Sequence, residues 1–313
     1  MSSRDTNVDM VTGAFSYTGA HIAQRLLASG RDVRTLTFHP ERPHQLRGQV
    51  DALPYTFDDP LALARSLQGV TTLYNTYWVR FDHGSASFDG AIANSRALFH
   101  AARRAGVHRI VHVSIANPST DSPLPYYRGK ALVEHALAET GVPFAVVRPT
   151  WIFGGPHEIL ANNIAWILRH IPLFAVAGDG SYPVQPVHVD DLADICLNAA
   201  DAPDDVILDA AGPETLPFIE LVRAVRHATG SHSPVLHVPA PVVSTAARLL
   251  GLVLGDVLLT PQEIRGLTSG LLVSHRPPLG RIAFTDWLQD HRQSLGRSYA
   301  NELRRHFAPA GSQ

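Results

Sequence analysis

The chain has 313 residues, 45% of them hydrophobic, which is enough to bury a full core in one or two domains. Its 26 Lys and Arg residues are balanced by 28 Asp and Glu residues, giving a formal net charge of -2. This balance lacks the basic excess needed to bind a phosphate backbone, so we expect no nucleic-acid partner.

Several features indicate where the protein works. The single cysteine, Cys196, rules out an intrachain disulfide framework and favours a reducing, cytoplasmic location. The start of the chain, "MSSRDTNVD", lacks the apolar region of a signal peptide. The apolar run Ala247–Leu259 is interrupted by Gly251, Gly255 and Asp256, which predicts a buried or interface helix and no membrane partner; a membrane-surface element is the alternative for this segment. The 17 histidines do not cluster, so we expect no metal site.

From the N-terminus, short β-rich runs alternate with helical patterns, as in βαβ units with a parallel sheet. The predicted strands are Asp9–Thr12, Val33–Thr37, Val50–Pro54, Thr71–Asn75, Arg109–Ser114 and Phe144–Arg148. The predicted helices each end before a glycine: Ala20–Ser29, Leu61–Gln68, Phe88–Ala105 and Leu132–Thr140. The fold class is therefore α/β, a doubly wound parallel sheet.

Beyond Arg148 the pattern loosens. The expected elements are a loop at Arg148–Glu158, a helix at Asn162–His170, a short strand leading to a helix capped by Asp190, a strand at Val206–Asp209, an extended stretch at Pro234–Val238 and a final helix around Gly296–Phe307. We expect a dinucleotide-binding domain at residues 7–210, with segments after Arg148 contributing to the substrate side. Residues 211–313 form a smaller, mostly helical substrate-side domain.

The stretch "DMVTGAFSYTGAHIAQRLLASG" leads a strand through a glycine turn into a helix N-terminus, which offers N–H groups and partial positive charge to a pyrophosphate. Gly13 and Gly19 hold the outer positions of a Gly-x-x-Gly-x-x-Gly spacing, and Ser16 takes the middle one. The residues expected to contact the cofactor here are Gly13, Phe15, Ser16, Tyr17, Thr18 and Gly19. An ordinary turn with no ligand is the alternative.

Five blocks in order carry a family resemblance: "VTGAFSYTGAHIAQRLL", "RIVHVS" (Arg109–Ser114), "YYRGK" (Tyr126–Lys130), "RPTWIFG" (Arg148–Gly154) and "VHVDDLAD" (Val187–Asp194). Together they resemble the extended and atypical short-chain dehydrogenase/reductases. The resemblance is closest to the epimerase-like and NmrA-like branch, which includes relatives of the accessory Rossmann subunit of respiratory complex I. It covers residues 10 to about 195 and implies a Rossmann fold that binds NAD(P).

The end of the second strand, "RTLTFHPERP", bears on the choice of cofactor. Phe38 occupies a position where related NADP-binding chains often carry Arg, and no carboxylate is there to bind ribose hydroxyls. His39 and Arg42 could bind a 2′-phosphate, which favours NADP(H) over NAD(H). The resemblance also implies that Asp58 contacts adenine, although Asp58 could cap the following helix as well.

Tyr126 and Lys130 are four residues apart, so they share one face of a helix, and a neighbouring ammonium lowers the pKa of a phenol. The resemblance implies that Tyr126 exchanges a proton with the substrate, that Lys130 also holds the nicotinamide ribose and that Ser114 orients the substrate carbonyl. The short link between Ser114 and Tyr126 resembles the atypical branch. Alternatives for these roles are Asn117, Ser119 or Ser122 in place of Ser114, and Tyr127 in place of Tyr126.

The resemblance implies further residues around the same cleft. Those expected at the cofactor are Asn75, Thr76, Pro149 and Thr150; those expected at the substrate are Tyr77, Trp78, Phe81, Trp151 and Phe153. Ordinary core packing is the alternative for the aromatic residues, and a structural role is the alternative for Arg148. His188 and Asp190 are expected to anchor a helix rather than to act in catalysis.

The leading hypothesis is an NAD(P)-dependent oxidoreductase that acts on a carbonyl or alcohol of a small, partly hydrophobic molecule. A sugar-nucleotide epimerase or dehydratase would need more basic residues than Arg169, His157 and His170 on the substrate side. The third reading is a redox-silent NAD(P)-binding regulatory or accessory protein. Helices Phe88–Ala105 and Leu132–Thr140 are the candidate faces of a homodimer.

Overall fold

A computed structural model describes residues 8–155 and 158–306. The chain forms two compact units. The first consists of the residues up to Pro149 together with Leu192–Asp209, and the second of Thr150–Asp191 together with the residues from Ala210 onward. The chain therefore leaves the first unit after its sixth strand and later returns to it.

The first unit carries the parallel sheet. Its strands are β1 (Val8–Thr12), β2 (Asp32–Thr37), β3 (Asp51–Pro54), β4 (Val70–Asn75), β5 (Arg109–Val113), β6 (Phe144–Pro149) and β11 (Val206–Ala210). Its helices are α1 (Tyr17–Ala28), α2 (Pro60–Ser66), α3 (Phe88–Ala105), α4 (Pro125–Ala138) and α6 (Val189–Ala200), the last of which begins in the second unit.

The seven strands lie in the order β11-β6-β5-β4-β1-β2-β3, and the pairs from β6 to β3 are parallel. This confirms the predicted α/β fold with a doubly wound sheet. The chain order reverses between β1 and β4, and in such sheets ligands bind beyond the carboxyl ends of the strands at this point. The sheet therefore directs the ends of β1, β2 and β4 toward a common crevice.

The core of the first unit follows from the sequence pattern. One side chain from each of five neighbouring strands enters it: Met10, Leu36, Leu73, Ile110 and Val146. Helix α3 adds Leu98 and Phe99, both fully buried, while Arg96 and His100 on its other face are exposed. The apolar stripe of α3 thus covers the sheet, as its spacing predicts.

Three helix starts in this unit differ from the sequence-based expectation. Helix α1 begins at Tyr17 rather than at Ala20. Helix α4 begins at Pro125, whose fixed φ suits the first turn, so Tyr126 and Lys130 lie in one helix. Helix α2 is capped by Asp59, which accepts hydrogen bonds from the N–H groups of Leu61 (3.0 Å) and Ala62 (2.9 Å). The alternative role of Asp58 as the cap is therefore wrong by one residue.

The second unit combines small sheets with helices. Its strands are β7 (Trp151–Phe153), β8 (Phe174–Ala177), β9 (Pro183–Val184), β10 (Pro186–His188), β12 (Leu216–Pro217) and β13 (Val235–Val238). Its helices are α5 (Leu160–His170), α7 (Phe218–Ala228), α8 (Ala240–Leu254), α9 (Pro261–Thr268), α10 (Phe284–His291) and α11 (Glu302–His306). The strands pair as β7 with β10, β9 with β12 and β8 with β13.

Two further helix starts in the second unit are corrections. Helix α6 begins at Val189, so Asp190 lies in its first turn and donates its N–H to His188 Nδ1 (3.2 Å) instead of capping the helix. Helix α11 begins at Glu302 rather than near Gly296, because the buried Asp256 carboxylate accepts the N–H of Glu302 (3.0 Å). The predicted end of that helix at Phe307 lies outside the described residues.

The apolar run predicted as a buried or interface helix belongs to α8, which ends before Gly255. The helix is not buried, since Leu249, Leu252 and Val253 are exposed. Within the described parts of the chain, no helix combines the length and apolarity needed to cross a bilayer.

Candidate functional site

The phosphate turn depends on two glycines for different reasons. Gly13 has φ +68°, the left-handed region that favours glycine, and its N–H donates to the Leu36 carbonyl (2.9 Å). A Cβ on Gly19 would lie 2.3 Å from the Gly13 carbonyl oxygen. The first glycine is therefore required by backbone conformation and the second by the close approach of α1 to the end of β1.

Position 16 of the turn, which is occupied by Ser16, does not require glycine. Its backbone is extended, with φ -115° and ψ 172°, which any residue adopts, and it stands at the N-cap of α1. The first turn of α1 contains no acidic residue, so no carboxylate of its own offsets the positive end of the helix. The turn thus fits the pyrophosphate of a dinucleotide. Phe15 is buried and packs near the His44 ring, with 5.3 Å between ring centroids.

The Thr12 hydroxyl joins the end of β1 to the chain that leaves β4. Its oxygen accepts hydrogen bonds from the N–H groups of Thr76 (2.7 Å) and Tyr77 (3.1 Å) and donates to the side-chain oxygen of Asn75 (3.2 Å). Asn75 is fully buried, and its amide nitrogen contacts His112 Nδ1 at 3.1 Å. Asn75, expected to face the cofactor, therefore braces the strand ends from inside, while Thr76 is partly exposed beside the turn.

An aromatic cluster lies at the ends of β2, β3 and β4. It consists of Phe38, Tyr55, Phe57 and Tyr77, whose ring centroids lie 4.6 to 6.1 Å apart. The Tyr77 hydroxyl accepts a hydrogen bond from the Asn94 side chain (2.9 Å), and burial raises the pKa of Tyr77. Phe38 is 59% exposed, so it offers a ring face to solvent at the end of β2. The cluster supplies stacking surface rather than hydrogen bonds.

A cationic loop follows Phe38. Burial and the neighbouring Arg42 guanidinium lower the pKa of His39 and of His44. The carboxylate within the loop, Glu41, is paired with Arg47. The Arg42 guanidinium therefore lies close enough to both imidazoles to disfavour their protonation, and a bound anion would offset this effect.

Trp78 is the residue on which the two candidate catalytic side chains meet. Lys130 Nζ lies 4.8 Å from the centre of the Trp78 ring, and the Tyr126 ring meets it edge-on with centroids 5.9 Å apart. A Cβ on Gly129 would lie 2.9 Å from the indole, so the close packing of Trp78 on α4 favours glycine there. Tyr127 is buried, whereas Tyr126 is partly exposed and is the better placed of the two for contact with a substrate.

Lys130 is 3% exposed, and its Nζ donates to the Val113 carbonyl (2.9 Å). Burial lowers the pKa of Lys130 to about 7, with the nearby Glu134 carboxylate acting in the opposite direction. Burial also lowers the pKa of His112, and Lys130 lowers it further, so the imidazole is neutral. The ammonium therefore gains and loses its proton near neutral pH.

The Ser114 hydroxyl already has a partner, because it donates to the Glu134 carboxylate. Arg148 binds the same carboxylate through Nε (3.0 Å) and a terminal nitrogen (2.5 Å). Glu134 is buried, so this is a three-residue network of a hydroxyl, a carboxylate and a guanidinium. The structural role expected as the alternative for Arg148 is present, and Ser114 acts in the same network.

The loop between β5 and α4 holds the residues that could replace Ser114. The hydroxyls of Ser119 and Ser122 accept the N–H groups of Asp121 and Leu124, both at 3.2 Å, and so shape the loop. Asn117 has φ +55°, and no other non-glycine residue in the described ranges has positive φ. Asparagine tolerates this conformation at a modest cost, and such strain is typical of functional loops.

The remaining predicted residues lie in or next to the second unit. Pro149 ends β6 and its carbonyl accepts the Ala116 N–H (2.8 Å). The Thr150 hydroxyl donates to the Gln185 carbonyl within the second unit. Trp151 and Phe153, expected at the substrate, are 5% and 0% exposed in that unit's hydrophobic core. They pack in this core, which was the alternative for the aromatic residues. Phe81 is also buried, in the first unit.

His188 is built into the second unit as a packing residue. Its ring meets Phe153 edge-on at 5.1 Å, and a Cβ on Gly154 would lie 2.1 Å from Nε2. This supports the expected anchoring role rather than a catalytic one. Across residues 8–155 and 158–306, no group of three or more His, Cys, Asp and Glu residues could hold a metal ion.

Four residues of the site were missed from the sequence: Thr12, Tyr55, His44 and Glu134. Glu134 lies four residues after Lys130, so its helical spacing could have shown that it shares that face. Tyr55 and Phe57 are two residues apart just after β3. In an extended chain, side chains two residues apart point to the same side, so this spacing could have indicated that the two rings lie together. Thr12 precedes the glycine turn, but nothing local indicates that its hydroxyl reaches the chain after β4.

Comparison with known proteins agrees with this geometry. The profile of a family described as NAD(P)H-binding matches residues 13–203. The chain belongs to this NAD(P)H-binding family. This match confirms the family resemblance expected from the sequence, and solved structures of epimerases and reductases share the fold.

Three proteins illustrate the range of the relatives. The mouse (Mus musculus) mitochondrial NADH dehydrogenase 1 alpha subcomplex subunit 9 is 29% identical over 213 residues, 66% of this chain and 55% of that protein. This chain thus matches little more than half the length of that relative. Triphenylmethane reductase from Citrobacter sp. has a TM-score of 0.73 at 17% identity, covering 92% of this chain and 99% of its own. A nucleoside-diphosphate-sugar epimerase from Staphylococcus aureus has a TM-score of 0.69 at 18% identity, covering 90% and 99%.

We expect Gly19→Ala to abolish dinucleotide binding, because its Cβ would collide with the Gly13 carbonyl and push α1 away from the turn. Ser16→Gly is the matched control and should bind as the wild type does, since position 16 is extended. Nicotinamide fluorescence on titration with NADPH and NADH measures both. Normal binding by the Gly19→Ala protein would show that the turn does not hold the cofactor.

We expect the buried Lys130 to make stability depend on pH. Its pKa is about 7 in the folded protein against an ordinary value of 10.5, so the unfolded chain binds more protons between these values and the wild type gains stability as pH rises through them. The Lys130→Met protein lacks this gain. Its advantage in unfolding free energy over the wild type should be greatest below about pH 7 and should shrink by a few kcal/mol toward pH 10. Urea unfolding across this range tests the claim, which parallel curves would contradict.

Proposed function

We propose that the protein is an NAD(P)H-dependent reductase that converts a carbonyl of a small, partly hydrophobic molecule into an alcohol. The observation that carries the proposal is the meeting of Tyr126 and Lys130 on Trp78. When bound, NAD(P)H supplies the hydride that attacks the carbonyl carbon. Tyr126 then donates its phenolic proton to the carbonyl oxygen, which completes the alcohol and leaves a tyrosinate to be reprotonated from solvent.

The surroundings of Tyr126 suit this step. Its ring lies edge-on to Trp78, and to Phe88 with centroids 6.0 Å apart. These rings exclude water from one side of the phenol and favour a substrate with apolar surface. Lys130, when protonated, stabilises the tyrosinate through its positive charge. Ser114 would act indirectly, because its hydroxyl donates to Glu134 and so fixes the end of β5 against α4.

A sugar-nucleotide epimerase is the less favoured enzyme. The Arg169 guanidinium, weighed as a diphosphate ligand, donates to the backbone carbonyls of Leu295, Thr229 and Arg292 at 2.8 to 3.0 Å. The His170 ring stacks on Trp166. Both residues therefore have packing and capping roles in the second unit, and His157 lies outside the described residues.

A redox-silent binding protein is the second candidate, favoured by the similarity to a subunit of NADH dehydrogenase. The buried Lys130 argues against it. A chain that only binds a dinucleotide needs no buried ammonium with a pKa near 7 that packs on the same indole as a partly exposed phenol.

For the cofactor we infer a preference for NADP(H) over NAD(H). The support is the loop of His39, Arg42 and His44, in which burial and the Arg42 guanidinium lower the pKa of both histidines. The 2′-phosphate of NADP(H) would bring negative charge to this basic loop. Phe38 would stack on adenine or ribose, and the exposed Asp58 would contact the adenine amino group.

We expect Tyr126→Phe to lower kcat at least about a hundredfold with little change in the affinity for NADPH, because only the donated proton is removed. NADPH oxidation with a panel of aromatic aldehydes, ketones and quinones measures turnover. Tyr127→Phe is the matched control, since its buried ring should leave turnover intact. Full activity of the Tyr126→Phe protein, on a substrate that the wild type reduces, would refute the assignment.

We expect Arg42→Ala to weaken NADPH binding about tenfold while leaving NADH binding unchanged, since one charge-assisted contact to a phosphate contributes about 1.5 kcal/mol or more. Arg47→Ala is the control in the same loop, because Arg47 is occupied by Glu41. Fluorescence titration of each protein with both cofactors gives the ratio of affinities. An equal effect on NADPH and NADH would mean that Arg42 does not read the 2′-phosphate.

A further inference from the structure

An exposed apolar surface on the second unit plays no part in the proposed reaction. It lies on helix α8, and its members are Val242, Leu249, Leu252 and Val253. Their exposed fractions are 49%, 60%, 74% and 82%, the last two being the highest among the exposed large hydrophobic residues of the chain's described parts. We call these four side chains the α8 patch.

The patch is one continuous face of the helix. Val242, Leu249 and Val253 are spaced by seven and four residues, and Leu252 lies beside them, so all project to the same side. The opposite side is closed, because Gly251 is buried and a Cβ there would lie 2.6 Å from the Asp256 carbonyl. Helix α8 is thus apolar on the face that packs on its own unit and also on the face that meets solvent.

Helix α8 carries no carboxylate. From Leu221 to Gly255 the chain has no Asp or Glu, and the basic residue on α8 is Arg248. Arg248 is exposed on α8 at the border of the patch and forms no ion pair with other described residues.

Two carboxylates that follow α8 in the chain are occupied. Asp256 is buried and caps α11, and Glu263 completes the capping box of α9. Helix α11 carries the exposed Arg304 and is joined to the end of α8 by the Asn301 amide, which donates to the Leu254 carbonyl (3.1 Å). An apolar face bordered by an exposed arginine, on a helix without carboxylates, is complementary to an anionic, apolar surface.

A second copy of the chain fits the patch less well than a lipid surface does. The four side chains expose roughly a few hundred Å², below the about 800 Å² that each partner buries in a stable interface. In a two-fold dimer through α8, each basic border would also face its own copy. A bilayer needs neither a matching area nor an opposing protein charge, because side chains insert singly at the headgroup boundary.

We propose that the α8 patch docks the protein onto the surface of an anionic phospholipid bilayer. The leucine and valine side chains enter the boundary between headgroups and acyl chains, and Arg248 lies among the lipid phosphates. The helix lies along the surface and does not span it. This attachment is independent of the cofactor turn and of Tyr126.

The test is flotation of the full-length protein with vesicles of phosphatidylcholine containing about one third phosphatidylglycerol, compared with pure phosphatidylcholine. We expect the wild type to float with the anionic vesicles. The Leu252→Ser, Val253→Ser double variant should lose about tenfold or more in partitioning, because its most exposed apolar side chains are gone. Leu61→Ser, which alters a 49% exposed leucine on α2 of the first unit, is the matched control and should bind as the wild type does.

Arg248→Gln should weaken binding to the anionic vesicles severalfold and leave binding to pure phosphatidylcholine unchanged. All the substituted positions are exposed, and circular dichroism with a thermal melt verifies folding. Failure of the wild type to float, or equal flotation of the double variant, would overturn the proposal. So would sedimentation velocity showing, without lipid, that the wild type is a dimer and the double variant a monomer, because the patch would then be a contact between copies.

Discussion

The close approach of helix α1 to the end of β1 is the constraint on which the site depends. Gly19 meets the Gly13 carbonyl at a distance that leaves no room for a side chain. The residue before the turn, Thr12, uses its hydroxyl to hold the N–H groups of Thr76 and Tyr77. The phosphate turn and the segment that leads into Trp78 are therefore positioned by adjacent residues of one strand. A shift at the turn would reach the candidate catalytic residues through two hydrogen bonds.

Helix α4 carries two buried charged residues, Glu134 and Lys130, whose hydrogen-bond partners differ. The Glu134 carboxylate is bound by both Arg148 nitrogens and by the Ser114 hydroxyl, so its negative charge is largely satisfied. Lys130, one turn earlier, donates instead to a neutral carbonyl and lies under the Trp78 ring. Its burial is thus compensated only in part, which explains why the pKa falls despite a carboxylate nearby. A negative group placed beside it, such as a tyrosinate, would complete the compensation.

The sequence predicted what is local and missed what depends on distant contacts. Strand and helix order, the glycine turn and the shared face of Tyr126 and Lys130 follow from spacing, and the structure has them. Trp151 and Phe153 come just after a strand. That position suits aromatic residues that line a substrate pocket and equally suits residues of a hydrophobic core. Only tertiary packing decides between these roles.

The exposed face of helix α8 also could not be predicted from its own sequence. Apolar residues lie both on its packed side and on its solvent side, so their spacing does not indicate which side its own unit covers. Tertiary packing again decides, and it covers the face that holds Gly251 and leaves Val253 in solvent.

The free-energy cost of burying the Lys130 ammonium is the strongest reason to assign a catalytic function to this site. A methionine would fill the space between Trp78 and the Val113 carbonyl without desolvating an ammonium, and replacing buried charges by apolar groups often stabilises a protein. The wild-type chain instead carries a lysine whose lowered pKa makes folding less favourable at neutral pH. Groups of this kind gather where protons are transferred. Because Tyr126 is the titratable residue that shares Trp78 with Lys130, a proton transfer through Tyr126 is the function that accounts for this cost.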